Sequence, residues 1–354
     1  MKTAALILTL SLFIISCNTR KDPVRDNPGY QIAAQVPPVG VFKQLFLNGA
    51  SSLIAADYYG IAVIDLSNPE APGVPTQLKH DLMQNINNCY YNNDTKRLWL
   101  ANWGESDSTI AGMTWLAPDS FDLNDTLITG SNPLKFTAQD IYHLEADTIF
   151  TDSIHVAYIS WGTHDIGVFD FIHQICHPYA PWTDRFPFSQ FTWYLNPSAH
   201  VYDYAVSEDW HYAYLAVDKV GLEIIDLTSY GSASSIGSFD TEGYCRGIAV
   251  QGNYCYLADR HWGLQIIDVT DPTNPWRVSN LQFTGADDCE KIKVIGNKAA
   301  ILDIYNGIYA VDISDKVNPV EIFNFDTITP TDIEVTEDYI FIIDEDAGLV
   351  IASW

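Results

Sequence analysis

Positive charge is scarce in this chain. Its 354 residues carry 18 Lys and Arg against 45 Asp and Glu, a formal charge of −27 at pH 7. A body this acidic repels phosphate backbones, which makes nucleic acid a poor partner. Helical periodicity is also missing, since no stretch sustains apolar residues at i, i+3, i+4 and i+7. The catalytic signatures G-x-S-x-G and H-E-x-x-H and the P-loop are absent as well. Long apolar runs are confined to one place, Ala4–Ile15, broken only by Thr9 and Ser11. That run is too short to span a bilayer and has the length of a signal-peptide core.

The flanks of the run are informative. Lys2 precedes it, and Ile14-Ile15-Ser16-Cys17 ends it. The small residue before the cysteine resembles a bacterial lipobox, the alternative being an ordinary secretory signal with a chance cysteine. The resemblance implies that residues 1–16 are removed, that Cys17 becomes the lipid-bearing N-terminus, and that the lipid is the only membrane contact. Removing the one lysine of residues 1–16 leaves 17 Lys and Arg against 45 acids, a mature charge of −28. Residues 17–29 are polar, carry Pro and Gly, and read as a tether. The expected location is the cell envelope, on the outer membrane, with periplasmic and surface-exposed sides both open.

Six cysteines suggest a disulfide framework, but the count misleads. With Cys17 lipidated, Cys89, Cys176, Cys245, Cys255 and Cys289 remain, and a chain of this length buries a full core without staples. They are expected as buried free thiols.

Internal repeats decide the fold. GIAVIDLSNPEAP at Gly60, GLEIIDLTSY at Gly221, GLQIIDVTDPTNP at Gly263 and GIYAVDISDKVNP at Gly307 align, and GLVIASW at Gly348 ends the chain; the last four glycines are 42, 44 and 41 residues apart. Within 245–280, CRGIAVQ, a Gly252-Asn253 turn, YCYLAD, LQIIDVT and WRVSNLQF read as four strands. The turn sets Cys255 opposite Val250 and Cys245 opposite Arg260, so those two cysteines cannot bridge. Four strands per unit of roughly 40–45 residues is a propeller blade.

The repeated G-[LI]-x-[IV]-[IV]-D-[LIV]-[ST] core followed by N-P resembles the LVIVD-repeat family, whose members are largely uncharacterised bacterial surface or secreted proteins. The match is strong over 201–354 and 41–80 and weak over 81–200, where units are inferred at 98–116 and 155–171. Seven units then start near 41, 86, 139, 200, 244, 288 and 330, six or eight being the alternatives. The fold class is all-β: a propeller of four-stranded antiparallel blades in one domain, 30–354, with an insertion at about 172–199. The last unit stops after its third strand, and Tyr30–Val36 is a spare strand able to complete it.

Three sets of residues attract functional readings. Asp65, Asp170, Asp226, Asp268 and Asp312 close third strands before Ser/Thr turns and read as turn caps. Asp57, Asn102, Asp259, Asp303 and Asp344 align at the end of second strands, with Trp161 and Val217 in the other units. Two readings stand for Asp259, Asp303 and Asp344, turn caps or oxygen ligands to a cation such as calcium. The same turns are aromatic, with Tyr58, Tyr59, Trp103, Trp161, Trp262 and Tyr305, and with Arg260 and His261 among them. They form a ligand-binding face or serve as wedges between blades. His173, Cys176 and His177 cluster in the insertion but offer three metal ligands with no obvious fourth. Ser108–Trp115 (STIAGMTW) resembles the sialidase Asp-box, yet Ile110 replaces its aspartate and no second copy occurs.

The leading expectation is a non-enzymatic envelope lipoprotein that binds a protein or carbohydrate through one loop face. The alternative is a lactonase-like hydrolase or sugar-cleaving lyase with a metal in the central channel. Cys17→Ala is expected to abolish both detergent partitioning and incorporation of labelled palmitate, measured on whole cells.

Overall fold

The computed structural model describes residues 31–38, 40, 42–48, 52–57, 60–78, 86–92, 97–102, 112–116, 141–150, 153–160, 166–170, 191–194, 201–209, 211–226, 234–327 and 329–354. Its strands group into antiparallel sheets, numbered here along the chain. β1 (Gln31–Val36) comes first but belongs to the last sheet. Sheet I holds β2 (Gln44–Asn48), β3 (Ser52–Asp57), β4 (Gly60–Asp65) and β5 (Thr76–Leu78). Sheet II holds β6 (Ile86–Asn92), β7 (Arg97–Asn102) and β8 (Gly112–Leu116), and sheet III holds β9 (Ile141–Phe150), β10 (Ser153–Ser160), β11 (Ile166–Asp170) and β12 (Phe191–Tyr194). Sheet IV comprises β13 (Val201–Val206), β14 (Tyr212–Val217), β15 (Gly221–Asp226) and β16 (Ser234–Phe239). Sheet V comprises β17 (Gly247–Gln251), β18 (Tyr254–Ala258), β19 (Leu264–Asp268) and β20 (Trp276–Leu281). Sheet VI comprises β21 (Cys289–Ile295), β22 (Lys298–Asp303), β23 (Gly307–Asp312) and β24 (Val320–Phe325). Sheet VII runs β25 (Pro330–Val335), β26 (Tyr339–Asp344), β27 (Gly348–Ser353) and then β1. β12 lies inside the stretch expected as an insertion, whose residues 172–190, with His173, Cys176 and His177, and 195–199 are outside the described residues.

The second and third strands are apolar on both faces because both faces are covered. β14, β15, β22, β23, β26 and β27 each bury five consecutive residues. A strand solvated on one side would alternate instead. The covering layers are the neighbouring sheets. One core cluster joins Phe341, Ile343, Leu349 and Ile351 of sheet VII to Phe42, Leu45, Ile64 and Leu66 of the first repeat, with Val36 of β1 among them. Others join sheets IV and V, V and VI, and VI and VII. Each fully buried Leu, Ile or Phe contributes about 1.5–3 kcal/mol, so these interfaces dominate the stability.

First strands line up side by side near the centre: β13 touches β17, β17 touches β21, β21 touches β25, β25 touches β2, and β2 touches β6. Polar side chains stitch them at one repeated register. Asp203 Oδ2 accepts the Ile248 N–H at 3.0 Å, Gln44 Oε1 the Cys89 N–H at 2.9 Å, and Asp332 Oδ2 the Leu45 N–H at 2.6 Å. Lys291 Nζ reaches the other Asp332 oxygen at 2.7 Å, and Lys293 pairs with Glu334 at 2.6 Å.

Glycine is required at the start of the third strand in sheets IV to VII. Gly221, Gly263, Gly307 and Gly348 have φ between +74° and +86°, a region L side chains rarely adopt. A Cβ there would lie 2.5 Å or less from a fourth-strand carbonyl, of Phe239, Leu281, Phe325 and Val36 respectively. Val36 of β1 thus stands where a fourth strand stands in the other sheets. The ladder agrees, running from Gln31 opposite Ser353 to Val36 opposite Leu349.

The four described cysteines after Cys17 are free and buried. Burial pushes the thiols of Cys245, Cys255 and Cys289 well above their ordinary range, and that of Cys89 to about 12. Cys255 pairs with Val250 as expected, but Cys245 lies outside the ladder. β17 begins only at Gly247, because the Cys245 N–H is drawn to the Asp218 carbonyl of sheet IV at 2.9 Å.

Deleting residues 31–36 removes the β27 partner strand and the buried Val36. A loss on the order of 3–5 kcal/mol is expected from the emptied core position and unpaired backbone, with aggregation through the bared edge. Thermal melting and sedimentation of the truncated protein check it; an unchanged melting temperature in a monomeric sample would be the contrary result.

Candidate functional site

Turns between second and third strands and the loops that join one sheet to the next emerge on the same side of the fold. The aligned aspartates hold them together there. Asp303 Oδ1 accepts the N–H groups of Tyr305 and Asn306, both at 2.9 Å, while its Oδ2 accepts those of Asp287 and Asp288, both at 2.8 Å. Asp344 repeats this, with Oδ1 on Asp346 and Ala347 and Oδ2 on Thr329. Each buried carboxylate ties its own turn to the incoming loop. Oxygens so engaged are spoken for by backbone donors, and no three His, Cys, Asp or Glu groups converge in metal-ligating geometry among the described residues.

Asp259 departs from the pattern. Its Oδ2 accepts Gln265 Nε2 at 2.6 Å, whereas Oδ1 has no hydrogen-bond partner among the described residues. The carboxyl presses against Gly243, where a Cβ would lie 2.2 Å from Oδ1. The backbone N–H of Asp259 donates to the Gly263 carbonyl, and the Asp259 carbonyl accepts the Trp262 N–H, closing a 3-10 turn over Arg260–Trp262.

The third-strand aspartates behave as caps. Asp65, Asp268 and Asp312 each accept the N–H two residues on, from Ser67, Thr270 and Ser314, at 2.8 Å. These bonds hold the Asp65 and Asp312 carboxyls below their ordinary range.

Of the aromatic turn residues, Tyr58, Tyr59, Trp103 and Trp161 lie outside the described residues. Tyr305 is 67% exposed at the tip of its turn. Trp262 is partly exposed, its ring tilted against that of the exposed His261 at 6.0 Å. Neither ring belongs to a described core cluster; the wedge between sheets V and VI is Phe283 stacked on Tyr309 at 4.3 Å. Arg260, with a left-handed φ of 41°, forms a bidentate ion pair with Asp288 at the start of the next sheet, its Nη2 2.6 Å from Oδ2.

Sequence reasoning missed the residues that join these turns across sheets. The Tyr244 ring has Lys219 Nζ at 5.6 Å and the Arg260 guanidinium at 5.7 Å, and Arg246 lies 3.6 Å over the Tyr202 ring. Such cation–π contacts need two repeats side by side. In the sequence Tyr244 lies in a loop and Arg246 in the strand-like CRGIAVQ, and neither stands out as a site residue.

Burial, against the hydrogen bond from Gln265, pushes the Asp259 carboxyl up to about 6. The folded value lies above the unfolded one, so the stability this group contributes is complete below about pH 4 and lost as pH rises through about 6. Over that window wild type is expected to lose about 2–3 kcal/mol relative to Asp259→Asn, as read from urea midpoints at the two pH values.

Comparison with known proteins is consistent with this geometry. The LVIVD repeat family matches residues 200–241, 242–282, 286–327 and 330–352. Among solved structures the chain is similar to the β-propeller domain of Cps50 (Swd1) from Myceliophteria thermophila, at 12% identity and TM-score 0.64, covering 92% of this chain and 99% of that one. It is also similar to the computationally designed Ika8 protein, at 8% identity and TM-score 0.59 over 92% and 100% of the two chains. The WD40 β-propeller domain of Doa1 matches at 11% identity and TM-score 0.61, over 92% and 97%. No curated protein matches the chain. Likeness at these identities is likeness of fold, and with the repeats it makes the chain an all-β propeller of four-stranded antiparallel sheets that carries LVIVD repeats.

Proposed function

We propose that this is a lipid-anchored protein of the cell envelope whose propeller binds a protein or a glycan, without catalysis, through the face that carries the second-to-third-strand turns. The anchor is the lipid on Cys17, supported by the apolar run and the Ile-Ile-Ser-Cys motif. The scaffold is a seven-bladed ring in which β1 completes the last blade. Three features support that ring: the β1–β27 ladder, the seat of Gly348 against Val36, and the Asp332 bridge from the last repeat to Leu45 of the first.

One observation carries the binding assignment: Tyr305 is exposed at the tip of a turn whose base is held by the buried Asp303. An aromatic ring on a rigid mount loses little entropy on binding and offers both an apolar face and a hydroxyl. Trp262, His261 and the cation-flanked Tyr244 extend the surface over the next repeat. Flat rings beside hydrogen-bonding groups suit sugar rings or an aromatic-anchored protein contact.

Tyr305→Ala and Trp262→Ala are expected to weaken binding by about tenfold or more, as hot-spot truncations do. Stability should change by about 0.5 kcal/mol or less for the exposed Tyr305. Glycan-array screening and envelope pull-down identify the ligand, and calorimetry with thermal melts compares the variants. Two strongly destabilised variants that bind normally would refute the assignment.

A further inference from the structure

The side of the fold opposite the turn face is not equivalent to it. β27 runs from Gly348 at the turn face to Ser353 at the other side, and β1 is antiparallel to it with Gln31 opposite Ser353. The chain therefore enters the fold on the side away from Tyr305 and Trp262. The 14 residues from Cys17 to Tyr30 limit the distance from the lipid to the first strand to about 50 Å.

The exposed apolar side chains share that bias. Val74 (87% exposed) and Val317 (63%) lie in third-to-fourth-strand turns, and Trp276 (54%) and Val320 (60%) are the first residues of fourth strands, all at the end where the chain enters. Ile32 and Ile322 sit near the same ends of β1 and β24. Among the described large apolar residues that are exposed, Tyr305 alone is on the turn face. β20, which starts at Trp276, touches the turn that carries Val317, since the Ser279 hydroxyl donates to the Lys316 carbonyl at 2.6 Å. Acids on this side are solvated, and Asp65, Asp268 and Asp312 each engage one oxygen with the N–H two residues on in their own turns.

Against the expectation of membrane contact through the lipid alone, we infer that this side rests on the lipid surface, with Val74, Val317, Val320 and Trp276 at the interface and the turn face held away from it. The inference rests on the lipid-anchored reading above. Valine and tryptophan tips bind a membrane weakly by themselves, but a short tether raises their effective concentration at the surface so that weak contacts suffice to orient the body. A chain this acidic is repelled by anionic headgroups, so the surface it fits is zwitterionic and the contact should weaken as anionic lipid is added.

The test uses the full lipidated chain in phosphatidylethanolamine–phosphatidylcholine vesicles containing bromolipid, with an environment-sensitive fluorophore at Val317→Cys or Tyr305→Cys. Both reporters carry Cys176→Ser, and the described native cysteines are buried and do not compete for label. Quenching at 317 of about twofold or more, with none at 305, is the expected result. Equal quenching at both positions, or more at 305, overturns the inference. In the 317 reporter, Val74→Asp with Val320→Asp should abolish the quenching at unchanged melting temperature; quenching that persists also overturns it. Shielding of 317 without vesicles, together with a sedimenting dimer, would assign the side to a second copy of the chain instead. Flotation separates the two readings: wild type that fails to float refutes the lipid anchor itself, whereas a 317 reporter that floats without quenching refutes only the orientation.

Discussion

Sheets whose middle strands are apolar on both faces cannot stand alone. Ile224, Ile266, Ile301, Ile342 and Ile351 are fully buried, and each needs a neighbouring sheet to cover its side. The dominant free energy of this protein is therefore spread over sheet–sheet interfaces rather than one central core. A propeller satisfies that requirement because each blade serves as its neighbour's cover. The repeat glycines reflect the same crowding: a strand pinned between two covered faces must turn sharply, and a Cβ would collide with the next strand's carbonyl.

The aligned aspartates show how one residue type answers two demands. At the ends of third strands they are exposed and cap local turns. At the ends of second strands they are buried and gather backbone donors from two separate loops. An unpaired buried N–H costs about 1–3 kcal/mol, so a carboxylate that satisfies four of them contributes far more than its Coulomb charge. Asp259 has fewer partners, and its carboxyl is accordingly the one pushed toward neutrality. This network ties the turns of the face to the loops between sheets, with Tyr305 exposed at the tip of one of them.

Much of the fold was legible because repeats are redundant. Gly221, Gly263 and Gly307 each begin the same strand, so a misreading of one unit would be corrected by the others. Cys255 opposite Val250 came from a two-residue turn alone, since hairpin register is local. Cys245 was misplaced because its N–H is claimed by a carbonyl of the preceding sheet, a contact no local rule contains. The same limit hid the candidate site's cross-sheet members. Lys219 and Tyr244 meet the sequence-named Arg260 only through space, and nothing in their own neighbourhoods marks them.

By itself the sequence determined the strands, their period, the turn chemistry and the position of the repeat glycines and aspartates. Each of those depends on steric and hydrogen-bonding rules that act within a few residues. Tertiary structure alone decided which aspartates are buried, which aromatic rings face water, and on which side the chain enters. Phe283 and Tyr309 became the wedge while Tyr305 stayed in solvent, although all three are aromatic residues at or near strand ends. The physical reason is that burial is a property of two surfaces in contact, and the second surface here always comes from another repeat.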